Sequence, residues 1–169
     1  MMVTAAWGCE PVEPVRESLQ VAWISPVKQK VRGGTMIEVV QVRDLRAWIR
    51  NNSPEEPRVL QMLGMHGRAT ATADDRRDYK ITIFDVRREW LCRPLEGGTP
   101  GTDVSNVPVC AVREQQAADK HHEDGFTGCG YSMDTMSSTR GMDVFRVEWA
   151  QASEWGFTVM PLERFLEGA

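Results

Sequence analysis

Cys110, His121 and His122 carry the side chains that could do nucleophilic chemistry. A thiolate activated by a neighbouring imidazole is what such chemistry needs. The spacing does not supply it locally. If the stretch is helical, about 1.5 Å per residue sets Cys110 roughly 16 Å from His121, against a hydrogen-bond reach of about 3 Å. His121, His122, Glu123 and Asp124, with His66 or Cys129, offer suitable atoms for zinc. Adjacent histidines point about 100° apart on a helix and rarely share an ion. Asp119 and His122, at i and i+3, could share a face, but a solvated polar helix end accounts for the cluster better. Asp74 with Asp75, and Glu123 with Asp124, fall in expected turns. Exposed turn carboxyls are not driven to different acidities, which general acid–base work requires. These sets contain no catalytic motif, so no catalytic residue, metal site or cofactor is expected.

A binding surface is the remaining candidate. Residues 126–142 read as a long loop rich in glycine, serine and threonine, and loops of that length are often functional. Tyr131, Met133, Met136, Arg140 and Met142 lie in it. Flexible methionines beside an aromatic ring and an arginine suit a protein partner, and these residues form the expected binding set.

Such a surface needs a framework. The strongest pattern spans residues 59–90, read as two long strands reversing at 73–77. In the first limb Val59, Leu63 and Met65 alternate with Leu60, Met62 and His66, so both faces are apolar. A helix is the rival there, with Gly64 and Gly67 against it. In the second limb Tyr79, Ile81 and Ile83 share one face, and Phe84, Val86 and Trp90 the other. A β-bulge between Ile83 and Phe84 would explain the switch.

Residues 37–42 alternate as a strand. A helix follows, with Asp44 as N-cap and Leu45, Trp48 and Ile49 on its apolar face. Residues 94–102 are a glycine- and proline-rich loop, 107–112 an edge strand, and 113–122 a polar helix. Phe145, Val147 and Trp149 alternate, as do Trp155, Phe157 and Val159, which reads as an aromatic hairpin. Pro161 starts a last helix with Leu162, Phe165 and Leu166 inward.

Residues 1–35 look different. Val15, Leu19, Ala22 and Trp23 suit one short helix, and residues 28–35 are basic and then glycine-rich. Codons for Arg32-Gly33-Gly34 can resemble a bacterial ribosome-binding site just ahead of Met36. The expected organisation is a leader or linker over residues 1–35 and one domain over 36–169.

Composition narrows the function. A net charge of −4 and a pI near 5.4 argue against general nucleic-acid binding. No apolar run approaches the roughly 20 residues of a membrane helix, and no secretory signal is evident, so a cytoplasmic place is expected. Cys9, Cys92, Cys110 and Cys129 are widely spaced without a Cys-x-x-Cys pair and are expected to be reduced thiols. The expected fold is α+β: an antiparallel sheet of about six strands from two hairpins, with two or three helices mainly on one face. The expected function is a non-enzymatic protein-binding module, an accessory, inhibitor or immunity-type factor of bacterial kind. A small-molecule domain with a pocket under the 44–51 helix is one alternative. A small enzyme using His66, Cys110, His121 and His122 is the other. Oligomeric state is left open.

Overall fold

The computed structural model describes residues 9–27, 29–52, 56–63, 79–95, 98–111, 129–134 and 139–168. Its centre is a six-stranded antiparallel sheet. The strands are β1 (Ser18–Pro26), β2 (Met36–Gln41), β3 (Tyr79–Arg87), β6 (Tyr131–Asp134), β7 (Thr139–Glu148) and β8 (Phe157–Pro161), in the spatial order β6-β7-β2-β1-β3-β8. Two short strands, β4 (Asp103–Val104) and β5 (Val107–Pro108), form a separate hairpin. The helices are α1 (Val42–Asn51), α2 (Glu56–Met62), α3 (Trp149–Ala152) and α4 (Leu162–Glu167). The α+β class and the six antiparallel strands are as the sequence predicts. Among the described residues no helix is long and apolar enough to cross a membrane.

The sheet is covered on both faces. Ala22, Ile24, Val40, Ile81, Ile83 and Val144 point into one core, roofed by Leu45 and Ile49 of α1, Leu60 and Met62 of α2, and Leu162 and Phe165 of α4. Val21, Trp23, Ile37, Phe84, Phe145 and Val147 point into the second core, closed by Val15, Leu91, Val107 and Ala152. Helices α1, α2 and α4 thus share one face, while the N-terminal arm, the segment after β3 and short α3 cover the other.

This two-sided burial removes the expected bulge. β3 keeps one continuous register with β1 from Ser18↔Arg87 to Pro26↔Tyr79. Its apolar side changes because each face has its own core, not because the backbone slips.

Three further expectations are corrected. Residues 59–62 belong to helix α2, not a strand. Val59, Leu60, Met62 and Leu63 are all buried at helical spacing, and the helix stops before Gly64, so the glycine cost does not apply. The expected reversal at 73–77 and the helix at 113–122 lie outside the described residues. Residues 145–159 do not form a hairpin. β7 pairs with β2 and β8 with β3, so the connection through α3 crosses the face over β2, β1 and β3. α1 begins directly from β2 with Gln41 at its N-cap, and Asp44 falls in the first turn.

The stretch read as a leader supplies β1, an interior strand paired with both β2 and β3. Alternating Val21 and Trp23 with Ala22 and Ile24 feeds both cores. Residues 28–35, read as a linker, fall between β1 and β2, with Gly34 at φ 85°. The arm before β1 is fastened at several points. Arg93 Nη2 donates to Glu13 O at 2.8 Å, and Ser105 Oγ donates to Val12 O. Arg88 Nη1 donates to Val15 O at 3.3 Å.

The cysteines are paired, which overturns the reduced-thiol expectation. Cys9 bonds Cys129, tying the arm to the start of β6, with Cα atoms 5.5 Å apart. Cys92 bonds Cys110 at a Cα separation of 4.8 Å. Wide sequence spacing concealed both pairs, because partners meet only after the sheet assembles.

Candidate functional site

β8 ends the sheet, so its outer edge has no strand beside it among the described residues. Its partner β3 holds it from Lys80↔Pro161 to Phe84↔Phe157. A turn leads into it: Ser153 Oγ donates to Trp149 O at 2.8 Å, and Gly156 at φ 89° completes the reversal. The backbone alternation then sends Phe157 and Val159 to one face and Met160 toward the helix-covered core.

Aromatic rings run outward across this face. Trp149 meets Trp23 at 5.7 Å, Phe84 at 5.4 Å and Phe157 at 5.2 Å, the first two edge-on. Trp155 lies against Trp90 at 4.7 Å. Trp23 and Phe84 are fully buried, whereas Trp155, Phe157 and Val159 are 55%, 49% and 49% exposed. β8 itself, Phe-Thr-Val-Met-Pro, carries no charge. Beside Trp155 is a cavity of about 300 Å³ bordered by Glu17, Ser18, Arg87, Arg88 and Glu89. Arg87 and Glu89 pair across its rim at 2.8 Å.

The expected binding residues sit elsewhere. Tyr131 and Thr139–Glu148 belong to the β6–β7 hairpin, not to a loop. Tyr131 and Met142 are buried, and Met142 joins the helix-covered core. Their exposure was inferred from glycine and serine content, but Gly141 and Ser132 are there for close packing. A Cβ on Gly141 would overlap Ser132 Oγ, which accepts a hydrogen bond from Met142 N at 3.1 Å. Met133 lies on the backbone of β6, and Met136 lies outside the described residues.

Arg140 is engaged within the protein. It pairs with Asp143 at 2.6 Å and Glu10 at 3.1 Å, and stacks 4.2 Å over the Tyr131 ring. Burial pulls its pKa down, but the hydrogen bonds it donates to Asp143 and Glu10 prevail and hold it above the ordinary arginine value. Arg93, fully buried, stacks on Phe145 at 4.6 Å with Asp143 3.6 Å away. Burial lowers its pKa, and Asp143 opposes that shift. This network anchors the arm.

The nucleophile candidate is also corrected: Cys110 has no free thiol, because Cys92 occupies it. Cys129, offered as a zinc ligand, is bonded to Cys9. His66, His121, His122, Glu123 and Asp124 lie outside the described residues. Among the described residues no group of three His, Cys, Asp or Glu side chains could hold a metal.

The exposed edge went unrecognised in the sequence because Trp155, Phe157 and Val159 alternate as any buried strand would. Only their position at the end of the sheet distinguishes them. No family model, no curated protein and no solved structure matches the chain.

Proposed function

We propose that the chain is a non-enzymatic protein-binding module, of accessory or inhibitor type, which captures an extended segment of a partner protein along β8. One observation carries this reading. Phe157 and Val159, with Trp155 ahead of them, stand half exposed on an edge strand that has no charged residue. Natural edges are usually blunted by charge, bulges or cover. Pro161 blunts only the far end of this one. An added strand gains backbone hydrogen bonds for affinity and side-chain contacts for specificity. Trp155 is the type of aromatic anchor that dominates binding interfaces. The two disulfides favour an oxidising compartment over the cytoplasm as the place of action.

A peptide-display selection against the full chain tests the reading. Enriched peptides should alternate apolar residues and protect residues 157–161 from hydrogen exchange. Val159→Lys should weaken them at least about tenfold, roughly 1.4 kcal/mol, without lowering the melting temperature. Peptides that bind the variant equally well would defeat it.

A further inference from the structure

Arg43, Arg46 and Arg50 form an outward ridge on α1, spanning about 10 Å of helix. They border a cavity of about 420 Å³. Arg16 closes it from the opposite side, with Ser18, Gln20 and Gln41 supplying polar walls. Among the described residues four guanidinium groups line it and no carboxylate does.

An amphipathic helix would place arginines on its solvent side in any case. Arg16 separates this groove from that simpler arrangement. It comes from the arm, next to Val15, whose backbone is held by Asn106 and Arg88. The ridge and the arm therefore converge independently on one space. Arg46 is stacked 5.6 Å over Phe165, and Arg50 Nε donates to Arg46 O at 3.3 Å, so two of the four are already oriented. Of the acids close by in sequence, Asp44 offsets the charge of Arg43 at 3.5 Å and Asp85 sits opposite Gln20 in strand register, so the cationic excess of the groove rests on Arg16, Arg46 and Arg50. Gln41, the N-cap of α1, and Val42 after it also border the groove.

We infer that this groove binds a small anion carrying two or more phosphate or sulfate groups. Its volume lies in the range of small-molecule sites, and planar guanidinium forks match oxyanions in two-point contacts. Clustered cations repel one another, and an anion relieves that repulsion.

Titration calorimetry of the full chain with sodium tripolyphosphate tests the site, with inorganic monophosphate as the weaker comparison. Arg46→Ala combined with Arg50→Ala should weaken tripolyphosphate by about 10- to 100-fold, the loss of one or two charge-assisted hydrogen bonds. The melting temperature should fall by no more than about 2–4 °C, the loss of the Arg46–Phe165 stack alone, and Arg32→Ala, outside the groove, should have no effect. The paired Arg→Lys replacements keep the charge and remove the forks, so they should weaken binding as well. Absence of binding at millimolar ligand would overturn the inference, as would full affinity in the lysine variant. Tighter binding of a ten-nucleotide single strand than of tripolyphosphate would also overturn the small-anion assignment.

Discussion

Asn106 grips Val15 by both backbone groups. Its Nδ2 donates to Val15 O at 2.9 Å, and its Oδ1 accepts from Val15 N at 3.0 Å. Asn106 also sits at φ 62°, beside Ser105 at φ 50°, as the turn between β4 and β5 requires. Asn106→Gly keeps the turn and removes the grip. Urea unfolding should show a loss of about 1–3 kcal/mol with an unchanged slope. An unshifted midpoint would show that water replaces both bonds.

Removing residues 1–35 should abolish cooperative folding. The deletion takes β1, which pairs with β3 over all nine of its residues and carries the fully buried Trp23. Calorimetry of residues 36–169 should show no sharp transition. A cooperative melt within a few degrees of the full chain would mean the arm and β1 are dispensable.

The unreduced, denatured chain should react with no thiol reagent, and after reduction all four cysteines should react. Replacing Cys92 and Cys110 by serine should cost about 3 kcal/mol, given the 18-residue separation. Replacing Cys9 and Cys129, which are 120 residues apart, should cost more in the chain-entropy account. Equal losses for the two pairs would contradict that ordering.

Asp44 should make the fold less stable as pH rises. Burial is the main cause that raises its pKa above 3.8, with the Asp143 and Glu13 carboxylates adding and Arg43 opposing. The folded state therefore holds this proton more tightly than the unfolded chain. The stability it brings is present at low pH and is lost between the unfolded and folded values. Asp44→Asn should raise the melting temperature at pH 7 and leave it unchanged near pH 3. A lower melting temperature at pH 7 would mean the 3.5 Å pair with Arg43 outweighs burial.

Gly141→Ala should destabilise by about 1–3 kcal/mol, as overpacking does. The new methyl would displace Ser132 Oγ and press on Met62 Sδ at 3.2 Å. Thermal melts of this variant, alone and combined with Ser132→Ala, check the cause. The double variant should recover part of the loss.

Local periodicity was readable where one element supplied its own evidence. Ile37, Val39 and Val40 marked β2, Leu45 and Ile49 marked α1, and Tyr79 to Val86 marked β3. It misled where two periods fit the same letters. Val59 to Leu63 alternates like a strand and also repeats like a helix, and packing against the sheet selected the helix. Leu19, Ala22 and Trp23 fit a helical face, yet the chain there is β1 because β3 offers nine residues of backbone pairing.

The candidate site was less legible than the fold. Tyr131, Arg140 and Met142 looked exposed by composition, but Glu10 and the helix-covered core engage them. Trp155, Phe157 and Val159 looked buried by alternation, but they stand at the edge of the sheet.

The sequence by itself determined the α+β class and the placing of β2, α1, β3 and α4, because period and chain-breaking residues act over a few neighbours. Tertiary structure alone decided the strand order, the membership of the arm, the pairing of cysteines and the outermost strand. Those depend on contacts between residues as far apart as Cys9 and Cys129, and alternation along one strand does not specify which strand lies beside it.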